Sequence, residues 1–229
     1  MDVPARETLT TLRRAFARWG LPARIRVDNG HPWGSTGDLP TELGLWLVGL
    51  GVELVPNRPG RPQDNGVVEN AQGTGQRWAD PPRCRSAAEL QRALDAMDRH
   101  QREAFPDAAR SRMRLSPGLA HSGRPYARPR EAALWRADRL RERLSEYAAV
   151  RRVNARGLVS VYNRNYYVGR RHAGRSAYVR LDAASGEWVF ELADGPVLAR
   201  YPAGLTLAAI VGRRVTRRGR TPVASRGQT

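Results

Sequence analysis

Arg61-Pro-Gln-Asp-Asn-Gly-Val-Val-Glu-Asn70 is the stretch from which the rest of the chain is read. Residues 58–66 are rich in Pro, Gly, Asn and Asp, and they run directly into an apolar–polar pattern of helical period. Asp64 or Asn65 can serve as N-cap, which places Glu69 in or near the first turn, where the helix dipole favours a carboxylate. Upstream, Arg24-Ile-Arg-Val-Asp-Asn-Gly-His31 reads as a short strand ending in Asp28 and stopped by Asn29-Gly30. One carboxylate closes a strand and another opens a helix. Carboxylates delivered by separate elements are what metal-assisted phosphoryl transfer requires, because hard divalent cations take oxygen ligands. Taken singly, each has a plainer reading, Asp28 as a turn residue and Glu69 as a complement to a helix dipole.

The motifs Val27-Asp28-Asn29-Gly30, Pro59-Gly60-Arg61-Pro62-Gln63-Asp64-Asn65-Gly66 and Glu69, in this order, resemble the integrase core of DDE transposases and retroviral-type integrases. The longer run 28–34, with Trp46-Leu-Val-Gly-Leu-Gly-Val52, looks like a bacterial insertion-sequence branch of transposases. The resemblance implies an α/β, RNase-H-like core with Asp28 and Glu69 as catalytic carboxylates and metal ligands for Mg2+ (or Mn2+). It also implies DNA strand cleavage and joining as the reaction. The family pattern begins with strands bearing a first Asp well before the second. Here 27 residues precede Asp28, and the acids among them, Asp2 and Glu7, lie in no strand-like run. The expectation is therefore a partial core truncated at its N-terminus, with the metal site formed only if a third carboxylate is supplied. The alternative, of a different class, is a non-catalytic DNA-binding transposase fragment or regulator. Multimers of this chain, or an intact transposase chain, are the protein partners the resemblance implies.

Charge points the same way. The 229 residues carry a formal net charge of +17, and all 39 basic residues are arginine. Arg forks match phosphate oxygens in pairs, and an excess this large gives salt-dependent attraction to a polyanion. DNA is the expected partner. Cys84 stands alone and the four histidines lack ligand spacing, so neither a disulfide framework nor a Cys/His zinc module is indicated. No apolar run approaches a membrane span and no signal-peptide core opens the chain, so no membrane partner and a cytoplasmic location are expected.

Along the chain, helical stripes are predicted over residues 7–19, 41–49, from Glu69 onward, and 86–102, the last opened by a Ser86…Glu89 capping box. Strands are predicted at 24–28 and 52–55. A Pro-rich connector spans 106–129 and a single helix 130–147, whose thin stripe of Leu134, Leu140 and Leu144 suggests a solvated or DNA-facing linker. From residue 150 the period becomes two. Five short strands, 158–162, 166–168, 177–181, 188–190 and 197–201, suggest a small all-β barrel similar to the SH3-like C-terminal domain of integrases. The expected division is a partial catalytic core (1–84), a helical linker (85–148), the barrel (149–212) and a basic tail expected to be disordered (213–229). Expected DNA contacts are Arg58 and Arg61 in the loop, Gln76 and Arg77 on the Glu69 helix, and Arg164, Arg170 and Arg171 in the β region. Arg213, Arg214, Arg217 and Arg218 in the tail complete the set. Gln72 and Gln76 also suit an ordinary solvated helix face, and Arg58 and Arg61 an ordinary surface loop. Tyr162, Tyr166, Tyr167 and Trp188 are interleaved with the arginines, a pattern that serves either nucleic-acid stacking or a barrel interior.

Overall fold

Helix α2 (Glu42–Gly49) is apolar on nearly every side, and strand and helix segments from both halves of the chain pack on it. Thr41 caps it, its hydroxyl accepting from Gly44 N at 3.1 Å. Leu45, Trp46, Leu47 and Leu50 are fully buried, as expected of a helix hydrophobic all round. The computed structural model describes residues 5–30, 32–34, 38–58, 61, 63, 66–104, 123–193 and 195–212.

Before α2 come α1 (Ala5–Trp19) and β1 (Arg24–Val27), and after it β2 (Glu53–Pro56). Phe16 of α1 stacks on Trp46 with ring centroids 5.8 Å apart. Gly20 ends α1 at φ +80°, and a Cβ there would lie 2.7 Å from the backbone of Gly123. The contact needs two glycines, because the chain crosses itself where Leu21 bridges Arg124. β1 and β2 pair in parallel, Arg24 opposite Glu53 through Val27 opposite Pro56. Asn29 Nδ2 donates to the carbonyl of Asn57 at 3.1 Å and ties the two strand ends together.

Helices α3 (Gly66–Ala79) and α4 (Ala87–Glu103) pack on each other, with Gly75 facing Leu94 and Met97. Ser86 accepts from Glu89 N, and Glu89 reaches back to the N–H of Arg85, one residue before the expected partner. Arg18 of α1 pairs with Asp95 of α4 at 2.8 Å, and the guanidinium groups of Arg18 and Arg102 lie over the Trp19 ring.

The single helix expected over 130–147 is corrected. A 3-10 turn, Arg128–Arg130, leads into α5 (Glu131–Leu134), then the chain extends at Trp135 and resumes as α6 (Ala137–Ser145). Trp135 turns inward against α2, so close that a Cβ on Gly49 would fall 2.0 Å from its Nε1. The solvated-linker reading of this stretch is corrected as well: Leu140 and Leu144 are fully buried. A three-leucine stripe suffices because both neighbours, α2 and the β region, are already apolar.

The β region has six strands where five were expected. β3 (Ala148–Arg152), β6 (Ser176–Asp182), β7 (Glu187–Glu191) and β8 (Val197–Pro202) form an antiparallel sheet in the order β3-β6-β7-β8. β4 (Leu158–Val161) and β5 (Arg164–Tyr167) form a separate hairpin. Its two-residue turn, Tyr162-Asn163, has φ +47° and +59°, so β5 starts at Arg164, two residues before the expected Tyr166. The strands expected to form a small barrel stand in an open arrangement: no ladder among the described residues joins hairpin to sheet. Between β5 and β8 the link is a side chain instead, Tyr201 Oη donating to the carbonyl of Tyr167 at 2.7 Å. Tyr166, Phe190 and Tyr201 fill the space between hairpin and sheet. Helix α7 (Leu207–Val211), capped by Thr206, buries Ile210 in the same hydrophobic cluster as α2.

The described chain is thus mixed α/β, with one short parallel pair and otherwise antiparallel pairing. Its buried side chains form a cluster from Phe16 to Ile210. No helix among the described residues is long and apolar enough to cross a membrane.

Candidate functional site

Asp28 stands one residue beyond β1, exposed, its Oδ1 accepting from Gly30 N at 3.1 Å. The Asx turn is the local reason that Asp-Asn-Gly ends the strand there. Asp28 lines a cavity of about 640 Å3 between the β1–β2 pair, α2 and α6. Trp33, Val48 and Leu54 supply apolar wall, while Asp38, Glu53, Glu142 and Glu146 bring further carboxylates. Most of these acids are engaged. Asp38 accepts from Arg151 at 2.7 Å and from Val150 N at 3.0 Å, Glu53 lies 3.8 Å from Arg24, and Glu146 pairs with Arg143. Burial works to raise the Asp38 carboxyl, but the Arg151 and Val150 bonds outweigh it and hold the group below the usual carboxylate range.

Glu69 lies in the first turn of α3, exposed, and is not part of the wall of the cavity that Asp28 lines. Gln72 and Gln76 are exposed and Gly73 half-buried, while Gly75 and Ala79 turn to the packed side. The face bearing Glu69 therefore looks to solvent. Asp28 and Glu69 offer the oxygen donors that Mg2+ takes. Among the described residues, however, no group of three or more His, Cys, Asp or Glu is placed to hold a metal ion. Those residues do not make a metal cage by themselves.

The other expected contacts are scattered. Arg58 and Arg61 are exposed beyond β2. Arg77 is exposed and donates to Thr74 Oγ1 at 3.2 Å. Arg164 is half-buried, its guanidinium against Gly204. Arg170 and Arg171 are exposed on the 3-10 turn Arg170–His172. Asp64, Asn65 and the four tail arginines, Arg213, Arg214, Arg217 and Arg218, lie outside the described residues.

Of the four interleaved aromatics, Tyr166 and Trp188 are core, and Tyr162 is half-buried with its hydroxyl donating to the Pro40 carbonyl. Tyr167 alone of the four is exposed, at 48%. Strand alternation separates Tyr166 from Tyr167, a distinction available in the sequence only once the hairpin register is known. Sequence reasoning also missed a buried centre. Glu131 is 1% exposed. It accepts from Arg13 at 2.8 and 2.6 Å, from Tyr126 Oη at 2.5 Å, and pairs with Arg128 at 2.9 Å. Burial tends to raise this carboxyl, and the Arg13 and Tyr126 bonds reverse the effect and hold it low. Burial and the same contact push the Tyr126 phenol up. The cluster joins α1 to α5.

No protein-family model matches the chain. Among solved structures it is similar to a chain in the cryo-EM structure of a simian T-cell lymphotropic virus intasome in complex with the PP2A regulatory subunit B56 gamma. The TM-score is 0.38, the identity 17%, and the match covers 89% of this chain and 64% of that one. The chain thus spans just under two thirds of the length of that neighbour.

Proposed function

We propose that this chain is a DNA-binding component of an integrase-type DNA transposition or integration system. The observation that carries the reading is the placement of two motif carboxylates, Asp28 at the end of a parallel strand and Glu69 in the first turn of a later helix. The +17 charge, all of it from arginine, supports a polyanionic partner. In this reading residues 1–84 are part of an RNase-H-like core, 85–148 a helical connection, 149–212 an SH3-like module opened along one seam, and 213–229 a basic tail. Asp28 and Glu69 are two of the carboxylates of a Mg2+-dependent phosphoryl-transfer site that a third carboxylate completes.

Two measurements test this. Binding of the full chain to duplex DNA should fall steeply with salt, log affinity dropping by about 0.9 per phosphate contact for each decade of salt. Absence of binding at low salt removes the reading. Strand nicking by a completed assembly should need Mg2+ and be lost in Glu69→Gln. Nicking that survives the substitution shows that Glu69 is not a ligand.

A further inference from the structure

The seam where β5 and β8 fail to pair is a groove of about 580 Å3. Tyr167, Arg170, Arg171, Arg200 and Tyr201 contribute to its walls, and among the described residues no acidic side chain does. Tyr201 Oη holds the Tyr167 carbonyl, and strand alternation turns the Tyr167 ring out while Tyr166 is buried. The ring is held over the following turn, with Arg170 N 3.4 Å from its hydroxyl. Arg171 Nε donates to His172 Nε2 at 3.0 Å, a bond that fixes the stem of this groove-lining arginine and does not use its terminal nitrogens. Arg200 is already engaged by Asp182 at 3.0 Å and contributes mainly wall.

We propose that this seam binds a single nucleic-acid strand, one base stacking on Tyr167 and the flanking phosphates meeting Arg170 and Arg171. The proposal rests on the nucleic-acid reading above and sharpens it. An outward aromatic ring can stack only on a base face that is free, and in a duplex those faces are covered by neighbouring bases. A groove whose described lining holds arginine and no carboxylate suits the phosphate chain. The open seam is therefore specific for a strand whose bases are unpaired, whereas the remaining arginine surface can serve a duplex.

The test uses the full chain with a labelled oligothymidylate of about 12 nucleotides, within the site sizes such grooves take, and a duplex of matching length. Tyr167→Ala should weaken oligothymidylate binding by about tenfold, the loss expected for one stacked base, and leave duplex binding unchanged. Tyr167→Phe should restore it. Arg170→Ala, on an exposed turn, should lower the single-strand salt slope by about 0.7. If Tyr167→Ala binds oligothymidylate as the parent does while duplex binding persists, the groove assignment is overturned and the DNA-binding reading stands. If the parent binds neither, both fall. Displacement of the oligonucleotide by polyglutamate at equal charge would mark an indiscriminate polyanion surface and also overturn the assignment.

Discussion

Glu131 accepts hydrogen bonds from two directions while almost fully buried, so removing its charge leaves Arg13 facing a neutral group in the core. Glu131→Gln should cost about 3 kcal/mol, the usual loss when one partner of a buried pair is removed, read as a lower urea midpoint at unchanged slope. A midpoint within error of the parent would show that the cluster is solvated in solution. The pH sign follows from the depressed carboxyl. Its stabilisation is complete above the ordinary Glu range, about 4.3, and is lost as pH falls through the lower folded value. Acid unfolding followed by tryptophan fluorescence should thus shift to higher pH in Arg13→Ala. No local pattern announced this cluster, because Arg13 and Glu131 are 118 residues apart and each looks like an ordinary charged position on its own helix.

At the scale of elements, the break between α5 and α6 and the bare face of α2 are one device. Gly49 has no side chain where the Trp135 indole arrives, and Arg136 N donates to the Gly49 carbonyl at 2.9 Å. Gly49→Ala should therefore destabilise the protein by about 1–3 kcal/mol, even though alanine is the better helix former. A thermal midpoint equal to or above the parent's would show that Trp135 yields freely. Helix and strand periods located α1, α2, α4 and most of the β strands from sequence. β3 was missed because Ala148 and Ala149 carry little strand preference, although Ala149 is fully buried. The 130–147 helix was drawn too long because its stripe continues across Trp135, and only the packing against Gly49 interrupts it.

For the whole molecule, the consequential quantity is charge. Six arginines lie in residues 213–229, and removing that segment should weaken duplex binding and flatten the salt slope by up to about 5 if every one meets a phosphate. An unchanged slope would place the binding surface elsewhere on the chain. The sequence by itself determined the arginine excess, the two carboxylate motifs with their strand and helix settings, and the change from helical to strand period near residue 150. These are legible because charge, turn chemistry and periodicity are local properties of the chain. Tertiary structure alone decided that Leu140 and Leu144 are core, that Tyr167 faces out while Tyr166 faces in, and that hairpin and sheet stay unzipped along a basic seam. Each depends on register or on contacts between distant residues, and a one-residue shift in pairing would exchange the inner and outer faces without altering any local pattern.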